Sequence, residues 1–134
     1  MPFRFNPVIR YACLAATIVV AGVLLYESTQ ARGSPGVPDL TTNEAYAGHF
    51  AIYAAMTLSA LAAIGRRSIF GMIIVVELAI SLGIAMEIFQ GHVPGRTPSM
   101  GDVVADATGA VLGALAYAVL LRVYDSLTPQ PTKL

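Results

Sequence analysis

Four apolar stretches, each close to the length needed to cross a bilayer, constrain this chain more than any other feature. They run from about Val8 to Tyr26, Tyr46 to Ile64, Ile69 to Gln90 and Val103 to Tyr124. An α-helix needs about 20 residues to traverse roughly 30 Å of hydrocarbon. In that medium backbone amides and carbonyls must be paired inside a helix or around a closed barrel. These stretches are rich in Ala and Leu and lack the alternation of barrel strands, which selects helices. The expected fold is an all-α membrane protein, a four-transmembrane-helix bundle forming one domain over residues 1–134.

Composition narrows the function classes. Only 12% of the residues are charged and 56% are hydrophobic, whereas a soluble domain is about 25% charged. Eight basic residues balance eight acidic ones, so there is no basic surface for nucleic acid. The single cysteine, Cys13, lies in an apolar run and offers no disulfide framework. The sequence has no Gly-rich phosphate loop, no Cys/His spacing suited to zinc and no Gly-x-Ser-x-Gly elbow. The first stretch also has features of a secretory signal peptide, with Thr29 and Ala31 placed as a cleavage-site pair. Its apolar run exceeds the usual 7–15 or so residues of such a signal, so retention as an anchor is the expectation.

Arginine and lysine set the expected orientation, since cytoplasmic loops carry the excess. Arg4, Arg10, Arg66, Arg67, Arg122 and Lys133 fall on one side of a four-helix zigzag, and Arg32 and Arg96 on the other. Both termini are therefore expected in the cytoplasm, with the segments Glu27–Ala45 and Gly91–Asp102 facing outward. The first of these is rich in Pro, Gly, Ser and Thr and reads as irregular.

This topology sends the polar residues to one level. His49 opens the second helix, Glu87 and Gln90 close the third at i,i+3 spacing, and Asp102 and Asp106 open the fourth at i,i+4, spacings that share a helix face. Arg96 lies in the Pro- and Gly-rich connection GHVPGRTPSMGD. Gly83, Gly109 and Gly113 provide small-residue positions for close helix packing. Packing at these glycines is expected to draw Glu87 and Asp106 together, which calls for a shared proton, a cation or Arg96 between them.

Each residue taken singly also has a structural explanation. Asp102 reads as an N-cap, His49 as an interfacial residue snorkelling to water, His92 as solvated, and Tyr53 as packing one turn below His49. Glu77, about 15 Å deeper than Glu87, is expected to be neutral or turned into the bundle. The convergence of several such groups at the ends of apolar spans is harder to explain structurally, because charge buried there is costly.

These residues resemble the VanZ-like family, named for a bacterial protein associated with low-level teicoplanin resistance. The resemblance rests on GHF at 48–50 with Tyr53, and on EIFQGHVPGRTPSMGDVVADATGAVLGAL from Glu87 to Leu115, and covers about residues 45–121. The family pattern maps onto His49, Glu87, Gln90, Arg96, Asp102, Gly109 and Gly113. Two positions depart from it: Ala45 and Tyr46 stand where the family usually has Asp-Lys, and Asp106 where it usually has Asn. The resemblance implies a multi-pass protein of the bacterial cytoplasmic membrane with a role in the cell envelope.

Three functions follow for comparison. In the first, the outward-facing cluster of His49, Glu87, Gln90, Arg96, Asp102 and Asp106 binds a membrane lipid or lipid-linked glycan headgroup, Arg96 recognising an anionic group bidentately. In the second, the protein is a hydrolase or transferase acting on such a precursor, with His49, Glu87 and Asp106 as acid–base candidates and no evident nucleophile. In the third, it is an assembly or transport partner, or a homo-oligomer, acting through Gly109 and Gly113. No cofactor is established by sequence, although a divalent cation at Glu87, Asp102 and Asp106 suits the preference of hard cations for carboxylate oxygen.

Overall fold

The computed structural model describes residues 6–31, 41–65 and 68–127. Four helices follow in order, α1 Pro7–Thr29, α2 Thr42–Ile64, α3 Ile69–Gln90 and α4 Met100–Leu127. All four are long and apolar enough to span a membrane. The third matches its sequence-based bounds at both ends; the other three extend beyond theirs, so part of the first connecting segment is helical. Arg4, Arg32, Arg66, Arg67 and Lys133, on which the expected orientation leans, lie outside the described residues.

The longer helices have identifiable starts. Thr41 and Glu44 form a capping box at the head of α2: the Thr41 hydroxyl accepts from the Glu44 amide, and the Glu44 carboxylate accepts from the Thr41 amide at 2.9 Å. Two amides without intrahelical partners are thus satisfied reciprocally. At the head of α4, Ser99 Oγ accepts from the Asp102 amide at 3.3 Å. The cap is therefore Ser99, not Asp102 as the sequence suggested. Asp102 sits in the first turn of α4, its carboxylate released from capping.

Apolar side chains lie both inside the bundle and on its surface. Bulky aliphatics such as Ile18, Ile74, Leu78 and Val119 are exposed, suited to acyl chains, while small and polar groups mediate helix contacts, as expected where lipid is as apolar as leucine. One core cluster contains Leu24, Tyr53, Met56, Ala79 and Ala110, and a second, further from the site, contains Leu61, Met72, Tyr117 and Leu121. Between α1 and α2, Thr17 Oγ1 lies 2.9 Å from Ser59 Oγ, and Arg10 Nε donates to the Ala63 carbonyl at 2.9 Å. The latter places a cation on the carbonyl end of α2, where the helix dipole favours it.

The closest approach is between α2 and α4. A Cβ built on Gly109 would overlap the Phe50 carbonyl, and one on Gly113 the Ala54 carbonyl. The small-residue stripe thus opens α4 to α2, not to α3. Gly83 does a separate job on α3: a Cβ there would come within 2.6 Å of Asp106 Oδ2.

Gly109→Leu and Gly113→Leu are expected to lower stability in detergent by about 1–3 kcal/mol or more through overpacking. Gly22→Leu, which meets nothing within 4 Å, serves as the neutral control. Equal unfolding midpoints for all three variants would contradict the α2–α4 contact.

Candidate functional site

The site lies where the C-termini of α1 and α3 meet the N-termini of α2 and α4. His49 is on the second turn of α2, and its Nδ1 lies 2.9 Å from Asp106 Oδ1 on α4. A carboxylate can only accept, so the ring donates through Nδ1 and a neutral imidazole keeps its Nε2 lone pair. That Nε2 is 4.0 Å from Asp102 Oδ2, one helical turn before Asp106. The α2–α4 approach at Gly109 and Gly113 brings the two sides of this contact together.

Glu87 enters from α3. Its Oε2 accepts from the Ser99 amide at 2.6 Å, which ties the end of α3 to the start of α4. Another consequence is depth: Glu87 is 4% exposed and Asp106 1%. One atom each from His49, Glu87 and Asp102 lie within 4.8 Å of one another. Among the described residues, Glu87 Oε1, Asp102 Oδ1, Asp106 Oδ2 and the Tyr53 hydroxyl are buried without a hydrogen-bond partner. Among the described residues, His49 is the only cationic-capable side chain within ion-pair distance of these carboxylates.

Four of the residues grouped from sequence, His49, Glu87, Asp102 and Asp106, therefore share a site. The other two turn toward α1. Gln90 Nε2 donates to Ser28 Oγ at 3.2 Å, and both residues are buried. Arg96 donates through Nε to the Gln30 carbonyl at 3.1 Å and through Nη2 to the Glu27 carbonyl at 2.8 Å. Both carbonyls belong to the C-terminal end of α1, where Glu27 also accepts from the Gln30 amide at 3.3 Å, and a guanidinium there complements the helix dipole. The Pro94–Gly95 pair holds Arg96 in place. Gly95 has φ +76°, and the Arg96 amide donates to the Val93 carbonyl at 3.1 Å, a turn with proline second and a left-handed glycine third.

Other placements are equally plain. His92 is exposed and its Nδ1 donates to the Ile88 carbonyl at 2.9 Å. Glu77 is exposed on the outer surface of α3, which rules out the bundle-interior contact, one of the two alternatives the sequence left open. Tyr46, at a departure from the family pattern, lays its ring against Gly101 in the first turn of α4. Two contributors were missed from sequence. Ser99 carries a readable signal, since Ser99-x-x-Asp102 has the form of a capping box. Ser28 has none beyond being a hydroxyl near the end of an apolar span.

Four helices long and apolar enough to span a membrane, with a histidine and three carboxylates gathered at one end and two of the carboxylates buried, define the class of a multi-pass membrane bundle carrying a polar cluster. The family comparison agrees with that class. The VanZ/LLP1 family model matches residues 13–122, and the chain belongs to this family. No curated protein and no solved structure matches it.

Arg96→Gln removes the charge-assisted contacts to α1 and is expected to cost about 1.5–3 kcal/mol of stability while leaving the His49–Asp106 pair in place. The checks are the unfolding midpoint and disulfide trapping between cysteines placed at positions 28 and 90, which should become less efficient. Unchanged trapping and midpoint would contradict the anchoring role.

Proposed function

We propose that this VanZ/LLP1-family protein binds the headgroup of a lipid-linked glycan, or of a related anionic envelope lipid, at the outer face of the bacterial cytoplasmic membrane. The observation that carries the reading is the set of buried acceptor atoms without partners among the described residues, Glu87 Oε1, Asp102 Oδ1 and Asp106 Oδ2, at one end of the spans. A buried acceptor left unpaired costs about 1–3 kcal/mol, and hydroxyl donors of a sugar would offset that cost. Acceptors outnumber donors in the cluster, which favours a hydroxyl-rich headgroup over a bare phosphate. Arg96 supports the site by holding α1 beside it.

The outward orientation follows from the basic residues, six of which (Arg4, Arg10, Arg66, Arg67, Arg122 and Lys133) belong to the opposite end of the zigzag. The namesake's association with teicoplanin resistance extends the proposal to susceptibility toward glycopeptides that act on envelope precursors. A second reading, hydrolysis or group transfer on the same headgroup, is favoured by the His49–Asp106 contact at 2.9 Å. A carboxylate behind an imidazole is the arrangement that orients a general base, and water would be the nucleophile in hydrolysis.

Native mass spectrometry of protein extracted from bacterial membranes tests the binding reading. Wild-type protein is expected to retain a lipid-linked glycan, with occupancy reduced at least about tenfold in Glu87→Gln and Asp106→Asn, consistent with the loss of about 1.4 kcal/mol or more. Equal occupancy in folded variants would overturn it. His49→Asn separates the two readings: for an enzyme, turnover of the retained lipid disappears while binding persists.

A further inference from the structure

We propose that His49, Glu87 and Asp102 bind a divalent first-row transition-metal ion, with zinc the representative member, and that Asp106 orients the histidine from behind. The inference rests on reading this cluster as a ligand site, and it names the component that would let an acidic site accept an anionic headgroup.

The ligand set comes from three helices. One ring nitrogen of His49, a carboxylate oxygen of Glu87 and one of Asp102 lie within 4.8 Å of one another. Bonds of about 2.0–2.2 Å to such an ion put neighbouring ligand atoms about 3–3.5 Å apart. Metal binding therefore requires the ligand atoms to draw closer, with Glu87 Oε1 free to turn toward the ion while Oε2 stays on the Ser99 amide. Glu87 independently points to a ligand: it is 96% buried, being 4% exposed, and its Oε1 has no hydrogen-bond partner among the described residues.

The outer contact has the form found behind metal-binding histidines. Such a histidine donates its second ring N–H to a carboxylate, which fixes the tautomer and strengthens the ligand nitrogen. Here Nδ1 is committed to Asp106 Oδ1 at 2.9 Å, and Nε2 is the nitrogen on the Asp102 side, 4.0 Å from its Oδ2. Gly83 leaves room for the Asp106 carboxylate, since a Cβ there would meet Oδ2 at 2.6 Å.

Charge favours a cation as well. Three carboxylates converge, and Arg96, the arginine described at this end, is bonded to the α1 carbonyls Gln30 and Glu27. An imidazole ligand suits zinc and other first-row transition ions, whereas all-oxygen sets suit magnesium and calcium. Three protein ligands leave coordination positions for water or for a phosphate or carboxylate oxygen of a headgroup. The metal would then bridge the carboxylates and an anion that they would otherwise repel.

Untagged full-length protein, purified in detergent and stripped with a chelator, tests the site without any added lipid. Titration with Zn²⁺ is expected to give one equivalent bound per chain, and Co²⁺ to give visible d–d absorption. Glu87→Gln and Asp102→Asn should each weaken Zn²⁺ at least tenfold, and Asp106→Asn about 10–100-fold. Glu44→Gln, at the exposed capping box of the same end, should leave the affinity unchanged. Where a variant does not fold, wild-type protein decides alone: one equivalent of Zn²⁺ must raise its Tm. Absence of stoichiometric binding, or undiminished affinity in both Glu87→Gln and Asp102→Asn, overturns the metal site. Lost metal binding with a retained glycan lipid would leave the headgroup reading intact; retained metal binding without a lipid would remove only that reading.

Discussion

The close seating of α4 on α2 governs the rest of the molecule. Where Gly109 and Gly113 meet the Phe50 and Ala54 carbonyls, a single methyl group would separate the helices. Without that approach, His49 and Asp106 could not come within 2.9 Å, because both are short side chains on different spans. Packing of this kind is driven by van der Waals contact, since lipid gives helices no hydrophobic reason to associate. The site is therefore a product of glycine placement as much as of its ionisable residues.

Once α2 and α4 are set, the remaining helices are joined to them by polar ties at the same end. Glu87 binds the Ser99 amide and so links α3 to α4, Gln90 reaches Ser28, and Arg96 closes the carbonyl end of α1. Each tie satisfies a group that would otherwise be unpaired near hydrocarbon, where the alternative costs more than in water. The division of labour is clear: Gln90 and Arg96 hold α1, while His49, Glu87, Asp102 and Asp106 are left to face one another. Burying carboxylates in this way is expensive, and a shared proton, a cation or a donor among them offsets that cost.

Much of this was legible in the chain. The bodies of the helices follow from span length and apolarity, and the convergence of His49, Glu87, Asp102 and Asp106 follows from which helix ends they occupy. Both ends of α3 and the C-terminal end of α2 were read, whereas the starts of α2 and α4 were not, because the residues that cap them are polar and fall outside the apolar runs; Thr41-x-x-Glu44 and Ser99-x-x-Asp102 nevertheless carried the pattern. The fate of Arg96 and Gln90 was not legible. It depends on α1 lying beside the end of α3, and spacing along one chain segment does not determine which span is its neighbour. Nor does spacing reveal which side of α3 faces lipid, so the exposure of Glu77 had no signal.

The 2.9 Å contact between His49 and Asp106 should make the two residues one energetic unit. A double-mutant cycle tests this, using unfolding free energies of His49→Ala, Asp106→Ala and the double variant in the same detergent. A coupling of about 1–3 kcal/mol between the two positions is expected. Effects that add to within about 0.5 kcal/mol would contradict it, because residues without a shared contact behave independently.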